Sequence, residues 1–298
     1  MIEARLQNLT LARAEHDRVT ANRRDNAWLG EQLANPDTRV LLISEGRVPV
    51  TEDRSGLRFV APDCAGPGEP FLLGEADGQV FFTTMVDELP EGMTSAGLRE
   101  IGASLGRRDA GLMVHAAALA NWHHTHPRCP QCGAPTEPVY SGESRRCTVD
   151  DTLHFPRTDP AVIMLVIDDD DRCLLGHQVG WPRGRFSTLA GFVEPGESPE
   201  QAVVREVGEE VGIAIDDVTY AGSQPWPFPA SLMIGFFAHA TTTDISVDGT
   251  EIAAARWFSR DELRRAVADD ELIFLPGQIS ISRALIEHWY GAELPGSW

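Results

Sequence analysis

Apolar residues along the chain fall into two rhythms. Up to about residue 110 they come as short runs, Val40 to Ile43, Leu57 to Val60, Phe71 to Leu73 and Val80 to Thr83, separated by Gly, Pro and Asp. That spacing predicts short strands joined by turns, so a mostly β region. From Ala110 to His124 the chain becomes rich in Ala and Leu, which predicts a helix that stops before Pro127. From Ala161 onward the pattern is α/β in character. AVIMLVI reads as a buried strand, DDDDR as a turn, CLLGH as a returning strand and MIGFFAHA as a later strand, with closing helices expected near 260–268 and 278–290. Between these regions, residues 127 to about 157 hold too little apolar material for a core of their own. The expected organisation is therefore 1–125, a mostly β domain ending in a linking helix; 126–157, a small segment in need of a staple; and 158–298, one α/β (α+β) catalytic domain.

Composition narrows the class. The 298 residues are 42% hydrophobic and 23% charged, as in ordinary globular proteins. No run approaches the roughly 20 apolar residues of a membrane helix, and the N-terminus lacks the basic and apolar segments of a secretory leader, so a cytoplasmic protein without membrane contact is expected. The formal net charge of -20 opposes general nucleic-acid binding. Cys129, Cys132 and Cys147 cluster, while Cys64 and Cys173 stand apart and read as structural. An odd, clustered set points to metal before disulfides.

Candidate chemistry begins at Gly191 to Ile213, GFVEPGESPEQAVVREVGEEVGI. Ser198 is a natural cap, Pro199 suits the first helical position and Gln201 completes a capping box, while Gly212 is a natural stop. At about 100° per residue, Val203, Val204, Val207 and Val211 share one arc and Glu206, Glu209 and Glu210 another. Three glutamates on a helix are ordinarily a solvated face. Here the like charges repel unless a cation sits among them, and hard divalent ions such as Mg2+ or Mn2+ prefer such oxygens.

The segment matches Gx5Ex7REUxEExGU at Gly191, Glu197, Arg205, Glu206, Val207, Glu209, Glu210, Gly212 and Ile213. In this it resembles the Nudix hydrolases. The resemblance implies an α/β/α sandwich, catalytic Glu206, Glu209 and Glu210 as metal ligands, the carbonyl of Ala190 as a further ligand, and Glu197 and Arg205 bracing the loop. It also implies a metal-binding glutamate outside the helix at Glu251, six residues before Trp257. Which glutamate acts as base stays open, because geometry must precede that assignment. Gly208, in mid-helix, has no account from sequence.

Downstream, SQPWPFPAS interleaves prolines with Trp226 and Phe228 in a stiff segment able to hold rings at low entropic cost. With the helix before it, this array is similar to that of NADH pyrophosphatases, including those that remove NAD caps from RNA. The resemblance covers about residues 98–290. It implies substrate contacts from Gln224, Pro225, Trp226, Pro227, Phe228, Pro229, Ala230 and Ser231, base-stacking rings from Phe155 and Phe192, and further contacts from Arg99 and Ser282. It also implies a homodimer whose sites borrow residues from the partner chain.

Cys129-Pro-Gln-Cys132, followed after fourteen residues by Cys147, has zinc-ribbon spacing, and a structural zinc would staple the core-poor segment. The family pattern ends in Cx2C, but here the fourth position is Asp150. An oxygen ligand from Asp150 fits zinc, and His154 or one of His123, His124 and His126 is an alternative. The leading expectation is hydrolysis of NAD(H) to NMN(H) and AMP, and of NAD-capped RNA to 5'-monophosphate RNA, using Mg2+ or Mn2+ with structural Zn2+. The rivals are hydrolysis of ADP-ribose or another nucleoside diphosphate, and a non-catalytic Nudix regulator.

Overall fold

The computed structural model describes residues 5–268 and 273–296. It divides into two compact units. One comprises Arg13–Thr158 with Trp226–Ala230; the other comprises the chain up to Ala12, Asp159–Pro225 and the residues from Ser231 onward.

In the first unit, α1 (Asn26–Ala34) is followed by β1 (Arg39–Ile43), β2 (Arg47–Pro49), β3 (Pro70–Ala76), β4 (Gln79–Met85), β5 (Ser95–Gly97), α2 (Leu98–Ile101) and α3 (Arg107–Thr125). The sheet order is β1-β4-β3, with β1 parallel and β3 antiparallel to β4, while β2 pairs with β5. Three of the four expected strands form. Leu57 to Val60 does not become a strand, because Leu57 and Val60 meet Val50 and Val40 at single bridges and no ladder continues between them. The helix α1 was not legible from apolar periodicity. Its start is fixed by Asp25, whose carboxylate accepts from the N–H groups of Ala27 and Trp28 at 3.0 and 3.1 Å. Trp28, Leu29 and Leu33 then pack on Val40, Leu42, Leu72 and Phe82. Three short strands, β6 (Thr136–Val139), β7 (Ser144–Cys147) and β8 (Leu153–His154), form an antiparallel sheet of their own.

The second unit contains β9 (Asp159–Ile167), β10 (Cys173–Gln178), β11 (Leu189–Phe192), α4 (Pro199–Val211), β12 (Ile215–Trp226), β13 (Ser231–Ala240), β14 (Ile252–Phe258), α5 (Arg260–Ala268) and α6 (Ile281–Tyr290). The strand order is β12-β13-β9-β10-β14, and β11 pairs with β9. Because β9 has helices on both faces, its side chains are apolar at successive positions and do not alternate with polar ones. Ile163 and Leu165 face a core built with Leu263, Leu285, Ile286 and Trp289. Val162, Met164 and Val166 face another, built with Val203, Val207 and Val211 of α4. The result is the expected α/β/α sandwich, each large aliphatic side chain contributing about 1.5–3 kcal/mol by burial. Leu9 joins the first of these cores, and the N–H of Leu6 donates to the carbonyl of Ala221 at 2.7 Å. The N-terminal residues up to Ala12 thus pack with the second half of the chain. Among the described residues no helix is long and apolar enough to cross a membrane.

Candidate active site

The loop and helix that carry the acidic signature form as their local chemistry dictates. Ser198 caps α4, its hydroxyl accepting from the N–H of Gln201, while the Gln201 side chain accepts from the N–H of Ser198 at 2.8 Å. Gly212 ends the helix in the left-handed region, φ 71°. Arg205 organises the preceding loop. Its guanidinium donates to both oxygens of Glu197 at 2.9 Å, to the carbonyl of Phe192 at 2.9 Å, and to Glu206 and Glu209 at 2.9 and 3.1 Å. This fork holds the Glu197 carboxyl below the usual carboxylate range and raises Arg205 itself.

Burial on α4 differs from the arcs read off the helical wheel. Ala202, Val203, Val207 and Val211 are buried, but Val204 is 47% exposed. Glu206 and Glu210 fall inside the buried sector, at 9% and 3% exposure, and Glu209 alone faces solvent. The acidic arc therefore lies partly under the helix. Gly191 on β11 explains how this is accommodated: a Cβ there would stand 1.9 Å from the Glu206 carboxyl, so only glycine leaves room for it. No comparable reason emerges for Gly208, where an added Cβ would meet nothing within 4 Å.

The electrostatics are those of an ion site. Burial, followed by the charges of Glu206, Glu251 and Asp248, pushes the Glu210 carboxyl up to about 8. Burial also raises Glu206, against the pull of Arg205. Both oxygens of Glu210 are buried without a hydrogen-bond partner. An orphaned buried carboxylate among other carboxylates costs several kcal/mol unless protonated or metal-bound. The donor chemistry of Glu206, Glu210 and Glu251 fits a hard divalent cation.

The aromatic array is built differently from a flexible Pro-rich loop. Its first half is the end of the twelve-residue strand β12, and Pro225 is tolerated because β12 lies at the sheet edge. Gln224 is fully buried. Its side-chain oxygen accepts from the N–H of Leu11 at 3.0 Å and its amide donates to the carbonyl of Ile279 at 2.9 Å. In the other unit, Asn121 of α3 donates to the carbonyls of Pro227 and Pro229 at 2.8 and 3.1 Å. Arg99, at the start of α2, lies 4.1 Å from the centre of the Phe228 ring and 5.1 Å from that of Trp226, and those two rings meet edge-on at 4.9 Å. Phe155 and Phe192 project their rings, 60% and 59% exposed. Pro227 is buried, Pro229 is exposed, and Pro225, Ala230 and Ser231 are half-buried. Ser282 is 1% exposed, and its hydroxyl is engaged by Ser187, Thr188 and the backbone N–H of Thr188. Sequence reasoning passed over Asp248, although the Asp-Gly pair before Glu251 is a turn signal.

The sulfur cluster assembles within one short segment of the chain. One ligand atom each from Cys129, Cys132, Cys147 and Asp150 lies within 4.8 Å of the others, and the thiols of Cys132 and Cys147 are 3.5 Å apart. Those spacings suit a tetrahedral ion with Zn–S bonds near 2.3 Å. Burial works against the Cys129 thiolate, yet the N–H groups of Cys132 and Gln131 bring its thiol down to about 7. The hydroxyl and N–H of Thr152 hold Asp150 ionised, at about 2. Of the alternative histidines, His123 is spent on the Gly142 carbonyl and Arg145, and His126 on Thr125 and the Trp122 carbonyl. Cys173 is buried in the core, whereas Cys64 is exposed.

Comparison with known proteins agrees with this geometry. Family models match in chain order: an NADH pyrophosphatase-like rudimentary NUDIX domain at residues 37–122, an NADH pyrophosphatase zinc ribbon domain at 124–155, and a NUDIX domain at 157–276. The chain is 39% identical to the NAD-capped RNA hydrolase NudC of Mycobacterium bovis (strain BCG / Pasteur 1173P2) over 305 residues, covering 95% of each. It is 38% identical over the same span to the protein of that name from Mycobacterium tuberculosis (strain ATCC 25618 / H37Rv). To the human NAD-capped RNA hydrolase NUDT12 it is 42% identical over 196 residues, 62% of this chain and 42% of that one. The chain belongs to the Nudix hydrolase family, in the branch that carries the NADH pyrophosphatase zinc ribbon.

Proposed function

We propose that the protein hydrolyses the pyrophosphate bond of NAD(H), releasing NMN(H) and AMP, and that of an NAD cap, leaving RNA with a 5'-monophosphate. The observation that carries this reading is the pair of partnerless, buried oxygens of Glu210 beside Glu206 and Glu251, in a chain similar over nearly its whole length to NAD-capped RNA hydrolases. Bound Mg2+ or Mn2+ supplies neutralisation of the phosphoryl oxygens and a water acidic enough to attack at neutral pH. Glu206, Glu210, Glu251 and the carbonyl of Ala190 would hold it. Arg205 keeps Glu206 and Glu209 oriented and ties them to the Glu197 loop, so the carboxylates need not reorganise when substrate arrives. Glu210 would hold the ion as a carboxylate, its proton passing to solvent. Zinc at Cys129, Cys132, Cys147 and Asp150 links β7 to the turn before β6 in a segment too small to fold on apolar burial alone.

For recognition, Phe192 and Phe155 offer exposed faces on which a purine can stack, and Arg99 with Trp226 and Phe228 forms a rigid aromatic and cationic surface. The buried Gln224 ties the end of β12 to Leu11 and Ile279. A homodimer and a cytoplasmic setting belong to this reading; thiolate ligands suit a reducing compartment. The test is to incubate the pure protein with NADH, NAD, ADP-ribose and NAD-capped RNA in Mg2+ or Mn2+, follow products by chromatography, and run Glu210→Gln in parallel. NMN or NMNH that disappears in the variant supports the reading. Cleavage of ADP-ribose alone would refute the substrate assignment.

A further inference from the structure

Glu251 poses a problem that its own side chain does not solve. It is exposed and stands just before β14. A glutamate with three free torsions in a loop would spend most of its time elsewhere. Its backbone, however, is held on both sides. The N–H of Val179 donates to the carbonyl of Glu251 at 2.8 Å, and the N–H of Glu251 donates to Asp248 Oδ2 at 2.9 Å.

Asp248 gathers far more than that single bond. Its Oδ2 also accepts from the N–H of Thr250 at 3.0 Å and from the Thr250 hydroxyl, and its Oδ1 accepts from the N–H of Ile252 at 2.9 Å. Three consecutive backbone donors thus close on one carboxylate. The N–H of Asp248 donates in turn to the carbonyl of Glu210 at 3.1 Å. The turn bearing Glu251 is therefore fastened directly to the residue whose carboxylate has no partner. Both carboxylate oxygens accept, so an amide, with one accepting atom, could not close the turn in the same way.

We propose that Asp248 is a positioning residue of the metal site, holding the turn 248–252 against the end of α4 so that Glu251 meets Glu206 and Glu210 around one divalent ion. This rests on the reading that those three glutamates hold the metal. The experiment uses the full chain with Asp248→Ala, Asp248→Asn, Glu251→Ala and the double variant Asp248→Ala/Glu251→Ala. Mn2+ affinity is read by electron paramagnetic resonance without substrate, and kcat and KM are read with NADH.

Asp248→Ala is expected to weaken Mn2+ binding about 10–100-fold and to lower kcat at subsaturating Mn2+. KM for NADH should stay within about twofold. Asp248→Asn keeps one accepting oxygen and the fold, and should retain part of the affinity. In the Glu251→Ala background, removal of Asp248 should change Mn2+ affinity little further, because the two act through one contact. Independent, multiplying losses overturn the proposal. So does an Asp248 variant that melts earlier yet binds Mn2+ as the wild type does. If Glu251→Ala itself leaves Mn2+ binding intact, the reading of Glu251 as a ligand fails and the proposal falls with it; if only Asp248 proves silent, that reading stands and the proposal alone is lost.

Discussion

The helices α3 and α4 each lie on a sheet, one in the rudimentary NUDIX region and one in the NUDIX domain, and glycine makes room in both. At Gly111 of α3 an added Cβ would sit 3.0 Å from the Cα of Ala14 and 2.9 Å from a nitrogen of His16; the glycine serves close packing. At Gly191, facing α4, the space is filled by the carboxyl of Glu206. The buried positions of α3 are mostly apolar, and its buried acid, Asp109, is satisfied by the N–H of Leu57 and by Arg108. Two of the six buried residues of α4 are glutamates, and one of them has no partner. Similar packing supports a framework in one region and an unsatisfied charge in the other. The NUDIX domain thus keeps a buried, partnerless carboxyl that a packed apolar side chain would replace at no cost to stability.

The sharpest break of this comparison is to neutralise each buried acid. Glu210→Gln should lower kcat/KM on NADH by more than about 100-fold, beyond the usual cost of an outer-shell residue. The metal-free melting temperature of that variant should hold or rise. Asp109→Asn should do the reverse, keeping turnover while melting earlier. If both variants lost only stability, α4 would be no more functional than α3.

Next come the glycines. Gly191→Ala should cost about 1–3 kcal/mol by overpacking and also reduce Mn2+ affinity, because the displaced group is the Glu206 carboxyl. Gly111→Ala should cost a similar amount, measured by urea unfolding, with kcat of the folded fraction unchanged. Equal kinetic effects would erase the distinction.

A smaller effect concerns zinc. Wild-type protein should hold one zinc per chain by metal analysis, and Asp150→Cys should resist chelation longer than wild type, since a fourth thiolate replaces a carboxylate oxygen. Loss of zinc should lower the melting temperature of the unit containing α3 without altering Mn2+ binding at α4.

The last break of the comparison is a pH slope. Burial holds the Glu210 carboxyl up at about 8 in the fold, well above the usual glutamate range of about 4.5. The folded metal-free protein therefore binds a proton that the unfolded chain has already lost, and its stability falls as pH rises from about 4.5 to about 8, then levels. Metal-free melting temperature should be lower at pH 9 than at pH 6, and saturating Mg2+ should recover the loss. His239, held between Asp169 and Asp216, also has a raised pKa, and its contribution is likewise lost as pH rises through the folded value. The difference between wild type and Glu210→Gln, rather than either raw curve, isolates the glutamate.

Much of this was legible in the linear chain because it is local. The capping box of α4, its glycine stop and the grouping of Glu206, Glu209 and Glu210 follow from spacing along one helix, where position in sequence dictates position in space. The uninterrupted apolar run of β9 announced a strand covered on both faces. The fourfold meeting of Cys129, Cys132, Cys147 and Asp150 was readable because short ribbon turns leave the chain few alternatives.

What only the tertiary structure decided involves partners far apart in sequence. The arcs drawn on α4 left Glu206 and Glu210 at an open face; the burial of Glu206 depends on β11 passing beneath with a glycine at 191. The burial of Gln224 depends on Leu11 and Ile279, more than fifty residues away in either direction. The hold on Glu251 depends on a hydrogen bond from the 248–252 turn to the end of α4. A residue's type and its near neighbours set which local element it favours. Whether its charge is stranded, satisfied or poised for a metal is set by atoms that reach it only when the chain has folded back on itself, where desolvation multiplies every electrostatic difference.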